Sequence, residues 1–116
     1  MDLLSFTLEI TVGDLEASTE WYARLLGREH AEPDDGIIEF ELSPTAYLML
    51  SPREEGSTAE PGGSVNLQVP DLVTALAELD TLGIAHSDVE QYSPEIAVVT
   101  VHDPDGRDVS IVQIGG

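Results

Sequence analysis

Few side chains in this 116-residue chain could do chemistry, and their spacing limits the kind of chemistry. There is no cysteine, which excludes disulfides, thiolate metal sites and cysteine nucleophiles. The three histidines are His30, His86 and His102, and no two of them are spaced as a helical pair of metal ligands. Glu9 is conceivable as a general base, but the sequence pairs it with no second acid or nucleophile. The reactive residues therefore favour binding over catalysis.

Acidic residues dominate the composition. Asp and Glu number 23 against four basic residues, which gives a formal net charge of -19. Such a charge repels nucleic acid and anionic membranes, so we expect neither as a partner. Two compatible explanations remain open. One is a solvated acidic coat suited to a high-salt cytoplasm, where ions screen self-repulsion, and the other is attraction of a cationic ligand.

The length and the hydropathy pattern predict one folded domain, residues 1–116, rather than two independent ones. Hydrophobic residues make up 41% of the chain and alternate with the acids throughout, which disfavours a disordered acidic tail. No apolar run approaches the length of a membrane span, and the first residues lack the pattern of a secretory signal. We therefore expect a cytoplasmic protein.

An internal repeat divides this domain. Residues 8–15, LEITVGDL, resemble residues 65–72, VNLQVPDL, which lie 57 positions later. Each copy contains an alternating strand, an aspartate positioned to cap a helix, a leucine-rich helical face and a glycine that ends the helix. The repeat predicts an N-terminal half at residues 1–51 and a C-terminal half at 64–116. Residues 52–63, rich in Glu, Ser, Gly and Pro, are the predicted linker.

Further strands are predicted after each helix. Ser43-Pro44 and the turn at residues 103–106, DPDG, have the composition of hairpin turns. A weaker pattern at residues 86–92 indicates another strand or an irregular connection. The strands expected on either side of the two turns are residues 36–42, 45–51, 96–102 and 107–114.

The segment at residues 8–27, LEITVGDLEASTEWYARLLG, resembles the opening of the vicinal oxygen chelate superfamily, which contains glyoxalases, bleomycin-resistance proteins and extradiol dioxygenases. In that family a strand ending in Val-x-Asp-Leu precedes a helix with an aromatic pair, here Trp21-Tyr22, and a Leu-Gly stop. The DPDG turn before the last strand is similar to the family's closing motif. The resemblance implies an α+β fold of two βαβββ modules, which form a U-shaped mixed sheet with helices on its convex face.

The resemblance also implies where a metal would be bound. In the metal enzymes of the family, a His or Glu from each of four strands holds a divalent metal on the concave face. The matching positions in this sequence are Thr7, Met49, Ser64 and Ser110. Hydroxyl and thioether groups are poor ligands for a hard divalent cation, so we expect no metal, no other cofactor and no catalytic residue.

Strand parity then predicts which side chains share the concave face. This face is polar, acidic and partly aromatic, as expected of a surface that holds a cationic or amide-rich molecule. Alternatively, the same strands simply face water or a dimer partner. Thr11, Ser51 and Gln68 belong to this face, and Glu39 and Glu41 are candidates for it. The predicted ligand-binding residues are Thr7, Glu9, Tyr47, Met49, Ser64, Asn66, Asp108 and Ser110.

Three functions are compatible with this sequence. The favoured hypothesis is a metal-independent homodimer that sequesters a small, cationic, antibiotic-like molecule, as the resemblance to bleomycin-resistance proteins implies. The second is a lyase or isomerase of the glyoxalase-like class, either metal-free through Glu9 or with ligands elsewhere. The third is an interaction module with an empty cleft.

Overall fold

The protein is described from a computed structural model, which covers residues 2–56 and 64–115. The chain divides into two compact units, Met1–Pro61 and Gly62–Gly116, and each is described by itself. Of the predicted linker, residues 57–63 lie outside the described residues. In the described part of the chain, no helix has both the length and the apolar character needed to cross a membrane.

The first unit is a βαβββ module. Strand β1 lies parallel to β4, and the remaining neighbours in the sheet order β1-β4-β3-β2 are antiparallel. The predicted α+β class and the module order are confirmed. The elements are β1 (Phe6–Val12), α1 (Leu15–Leu26), β2 (Ala31–Asp34), β3 (Ile37–Ser43) and β4 (Ala46–Pro52).

The second unit repeats this architecture. Its sheet has the order β5-β8-β7-β6, with β5 parallel to β8 and the other pairs antiparallel. The two helices begin 57 residues apart, at Leu15 and Leu72, as the internal repeat predicts. The elements are β5 (Val65–Gln68), α2 (Leu72–Leu82), β6 (Glu90–Ser93), β7 (Ile96–His102) and β8 (Asp108–Ile114).

The helix ends follow the predicted capping chemistry. Asp14 accepts a hydrogen bond from the backbone N–H of Ala17 at 3.0 Å, and Asp71 accepts one from Val73 at 3.2 Å. These carboxylates satisfy backbone donors that have no partner within the first turn. Each helix ends at a glycine in the left-handed region, Gly27 at φ 63° or Gly83 at φ 71°, where a side chain would be strained.

Each sheet packs one face against its own helix. In the first unit, Val12, Tyr22, Phe40 and Leu50 are fully buried between α1 and the sheet. Trp21 is half-buried and meets Tyr22 edge to face, with ring centroids 4.9 Å apart. We call the opposite side of each sheet its helix-free face. The alternation of each strand decides which residues lie there.

Several boundaries differ from the sequence prediction. Strand β4 continues through Pro52, one residue beyond the end of the predicted strand at residues 45–51, because it pairs there with Val12 of β1. Strand β2 was not predicted separately: its sequence, AEPD, is exposed throughout and has no apolar alternation. The weak pattern at residues 86–92 corresponds to β6, which starts later, at Glu90.

The turn before β8 contains a buried ion pair. Arg107 Nη1 lies 2.6 Å from Asp103 Oδ2, and the two residues are only 3% and 4% exposed. Asp103 Oδ1 also accepts hydrogen bonds from the backbone N–H groups of Asp105 and Arg107, both at 2.9 Å. The DPDG turn is thus organised around one carboxylate and fixes the start of the last strand.

Candidate functional site

The helix-free face of the first sheet brings four of the predicted ligand-binding residues together. Thr7 on β1 is the register partner of Tyr47 on β4, and Glu9 is the partner of Met49. Residues that pair across neighbouring strands point to the same side of a sheet. Thr7, Glu9, Tyr47 and Met49 therefore form two adjacent rows on one surface.

Strand β3 adds two carboxylates to these rows. Glu39 pairs with Met49 and Glu41 pairs with Tyr47, so both candidates lie on the helix-free face beside the predicted site. Glu9 and Glu39 flank Met49 from opposite strands, about 10 Å apart at the backbone. Glu41 is two residues along the same strand from Glu39, about 7 Å away. Three acids thus surround a surface formed by Tyr47 and Met49.

Glu9 is held in place by a neighbour. Ser51 donates its hydroxyl to Glu9 Oε1 at 3.0 Å, across β4 and β1. Ser51 is only 8% exposed, so this donor is itself fixed by its surroundings. A carboxylate has about four acceptor positions, and one hydroxyl occupies a single one of them. The side chain is therefore oriented while it keeps the capacity to bind a cation.

Tyr47 and Met49 supply the apolar part of this surface. Both are half-buried, and the Tyr47 hydroxyl makes a long hydrogen bond, 3.4 Å, to the carbonyl of Pro44. That contact draws the phenol oxygen towards the β3–β4 turn. Organic cations prefer to contact an aromatic π face and a carboxylate. Tyr47 provides the π face, Met49 adds a polarisable thioether, and the surrounding acids provide the carboxylates.

The helix-free face of the second sheet contains three more of the predicted residues, Asn66, Asp108 and Ser110, and is chemically different. Asn66 on β5, Ser110 on β8 and Thr100 on β7 form one row of neutral hydrogen-bonding groups. In the next row, Asp108 pairs with His102, whose Nε2 lies 3.0 Å from Asp108 Oδ1. This second face therefore offers amide and hydroxyl groups, together with one exposed histidine–aspartate contact.

The positions of three residues relative to the second helix-free face come from the structure and not from the sequence. Ser64 precedes β5 and is not part of its ladder, so only its sequence position relates it to Asn66. The sequence prediction did not include Thr100, because the alternation along residues 96–102 was not used to assign their side chains to a face. His102 is the last residue of β7, in agreement with the predicted strand at residues 96–102, and the structure adds that it faces the same side as Ser110. The hairpin register across the DPDG turn was the signal that could have located it.

The residues at the family's metal positions do not fit a divalent metal. Thr7 and Met49 occupy different rows, and neither Ser64 nor Ser110 supplies a charged ligand. Among residues 2–56 and 64–115, no group of three or more His, Cys, Asp or Glu side chains is arranged to hold a metal ion. Divalent metals in proteins prefer carboxylate and imidazole ligands, so this set would compete poorly with water.

Comparison with known families gives one match. Residues 6–112 match the family described as a glyoxalase-like domain, which covers both modules. No significant match to a curated protein sequence was found.

Solved structures share the fold over nearly the whole chain. A glyoxalase/bleomycin resistance protein from Catenulispora acidiphila is 27% identical, with a TM-score of 0.80 over 96% of this chain and 98% of that one. A glyoxalase/bleomycin resistance protein/dioxygenase from Nocardioides is 25% identical, with a TM-score of 0.75 over 98% and 84%. A lactoylglutathione lyase from Agrobacterium tumefaciens is 16% identical, with a TM-score of 0.76 over 93% and 91%. At that last identity the likeness supports the fold alone.

Proposed function

Because the chain belongs to the glyoxalase-like domain family of the vicinal oxygen chelate superfamily, we propose that it is a metal-independent protein that binds and sequesters a small organic cation. The observation that carries the proposal is the first helix-free face. There, Glu9, Glu39 and Glu41 surround Tyr47 and Met49. Sequestration requires a surface that recognises a ligand, and it requires no reacting group.

The charges of this face favour a cation over a neutral or anionic ligand. Glu39 lies about 10 Å from Glu9 and about 7 Å from Glu41 at the backbone, and no arginine lies on these strands. Each carboxylate that becomes partly desolvated against a bound cation can contribute about 1.5 to 3 kcal/mol. Attraction by the rest of the acidic chain raises the encounter rate, although salt screens that contribution.

The chemical type of the ligand follows from the same surface. Tyr47 and Met49 favour a flat or alkylated body, and the acids favour ammonium or guanidinium groups. Cationic antibiotics of the bleomycin type combine these features, and two of the similar solved structures are called bleomycin resistance proteins. We therefore include antibiotic-like cations in the proposed ligand class.

The proposal also includes a homodimer. Strand β1 lies at an edge of its sheet; its first residue, Phe6, is 66% exposed, and Leu3 and Leu4, just before the strand, are 78% and 89% exposed. Exposed edge strands with apolar side chains are surfaces that a second copy can cover. Sedimentation analysis at micromolar concentration should give the mass of two chains. A monomer would remove the dimer from the proposal without affecting cation binding.

The test of the function begins with protein purified without chelator. Elemental analysis should find no stoichiometric divalent metal, and bleomycin should raise the melting temperature without being chemically altered. Glu39→Gln and Glu41→Gln should each reduce this thermal shift, whereas Glu78→Gln on α2 should leave it unchanged. A stoichiometric metal, or turnover of glyoxalase-type substrates, would replace sequestration with catalysis. Failure of bleomycin and other organic cations to shift the melting temperature would refute the proposed ligand class.

A further inference from the structure

A depression lies on the helix-covered side of the first sheet, opposite its helix-free face. It has a volume of about 490 Å³, within the range of small-molecule sites. One wall is the N-terminal half of α1, and the other is formed by the start of β3 and the loop before β2. The residues that line it are Leu15, Glu16, Thr19, Glu20, His30 and Ile38.

The floor of this depression is apolar and fixed. Ile38 is 6% exposed and Thr19 is 9% exposed. The Thr19 hydroxyl donates to the backbone carbonyl of Leu15 at 2.6 Å, so its proton is already hydrogen-bonded within the helix. The His30 ring lies against the buried ring of Phe40 in an edge-type contact, with centroids 6.1 Å apart. The floor and this wall therefore need little rearrangement to receive a ligand.

The rim of the depression is negatively charged. Glu16 and Glu20 are exposed and one helical turn apart, a spacing at which like charges destabilise a helix by about 0.2 to 0.5 kcal/mol. The positive end of the helix dipole offsets only about half a charge near Glu16. Arg24, one turn beyond Glu20, adds one positive charge on the same helix, and the two carboxylates still leave the rim with a net negative charge. A cation bound between them would relieve their repulsion.

We propose that this depression is a second binding site, for a small organic ammonium ion with an apolar body. The apolar floor accepts the body, and Glu16 and Glu20 face the charge at the rim. The site lies on the other side of the sheet from Glu9 and does not depend on the function proposed for the helix-free face. Neutral molecules of the same shape would gain the apolar contact without the charge.

The probe for this site is benzyltrimethylammonium, titrated into ¹⁵N-labelled protein and followed by amide chemical shifts. Saturable shifts should centre on the amides of Thr19, His30 and Ile38, and uncharged benzyl alcohol should bind more weakly. The double variant Glu16→Gln/Glu20→Gln should weaken binding of the cation roughly 3- to 10-fold. Its matched control is Glu78→Gln/Glu95→Gln, which removes the same charge from exposed positions in the second unit.

Two outcomes would overturn this inference. Shifts that grow linearly and spread over the acidic surface would show a diffuse ion atmosphere, as would equal losses in the two double variants. Shifts centred on Glu9, Tyr47 and Met49 alone would place the cation on the helix-free face and leave the depression empty. Glu9→Gln should leave binding at the depression intact, so failure of the proposed function and failure of this site are distinguishable.

Discussion

Removal of the buried Asp103 carboxylate should be among the most damaging single changes in the second unit. Arg107 is 3% exposed in the folded protein, and Asp103→Ala removes a counter-ion that lies 2.6 Å from its guanidinium. Two backbone N–H groups of the turn, those of Asp105 and Arg107, also lose their acceptor. A buried charge that loses this carboxylate keeps its desolvation cost and loses the compensation that the carboxylate gives.

The expected size of this effect is large relative to the whole stability. Breaking a buried ion pair from one side costs about 3 to 5 kcal/mol, against about 5 to 15 kcal/mol for a typical domain. For a chain of this length, such a loss lowers the melting temperature by roughly 10 to 25 °C. Asp103→Ala/Arg107→Met should be less destabilised than the single variant, because it removes both charges of the pair.

The double-mutant cycle compares wild type, Asp103→Ala, Arg107→Met and the double variant. Chemical denaturation of these four proteins gives the coupling free energy between Asp103 and Arg107 directly. The control is Asp108→Ala, which breaks the exposed pair with His102 in the same hairpin and should cost at most about 1 kcal/mol. A loss below about 1 kcal/mol for Asp103→Ala would refute the account, since it would mean that water reaches the pair. A double variant less stable than the single would show that the hydrogen bonds, and not the charges, hold the turn.

Three further predictions concern charge and backbone. The pKa of His86 is raised above 6.5, first by its hydrogen bond to the Ser87 carbonyl and then by the Asp80 carboxylate. Protonated His86 therefore stabilises the folded protein fully at a pH below its pKa in the unfolded chain, and this stabilisation is lost as the pH rises through its pKa in the folded protein. The melting-temperature difference between wild type and His86→Gln should therefore be greatest at acidic pH, and an NMR-titrated pKa at or below 6.5 would contradict this. With 23 acids against four basic residues, the melting temperature should rise between low and near-molar potassium chloride, and an unchanged value would show that the charges are already compensated. Gly27→Ala and Gly83→Ala should each cost about 1 to 2 kcal/mol in denaturant unfolding, since both positions are left-handed, and costs near zero would show that the helix ends refold around alanine.

Local chemistry made much of the fold predictable. Aspartate caps and left-handed glycines fix both ends of each helix within a few residues of sequence. The alternation of β1 separates Ile10 and Val12, which are buried, from Thr7 and Glu9, which are exposed. Such signals depend on residues close to one another in the chain. The second copy of the repeat shows the same pattern and therefore supports the prediction independently.

The edge strands could not be predicted in the same way. Strand β2 contains Pro33 and exposes all of its side chains, and within its sheet it bonds to β3 alone. Strand β6 at the edge of the second sheet has a similar pattern, with one half-buried residue. The existence of these strands depends on backbone pairing with a distant partner, for which side-chain periodicity contains no signal.

The candidate site was predictable in its residues and not in its geometry. The family resemblance, extended by strand parity, predicted that Thr7, Glu9, Tyr47 and Met49 share a face. The hydrogen bond from Ser51 to Glu9 and the flanking position of Glu39 depend on the register between strands. Register is set by the tertiary pairing of β1, β3 and β4, so it had to be observed.

The central claim, that Glu9 anchors a cation on the helix-free face, is tested most directly by calorimetric titration of bleomycin into wild type and Glu9→Gln. A charge-assisted contact of about 1.5 to 3 kcal/mol predicts that binding weakens roughly 10- to 100-fold with the melting temperature nearly unchanged. The matched control, Glu78→Gln, removes the same charge from an exposed position on α2 and should bind as wild type does. Equal, small losses in the two variants would contradict the account, since the acids would then act as a diffuse field without a site at Glu9.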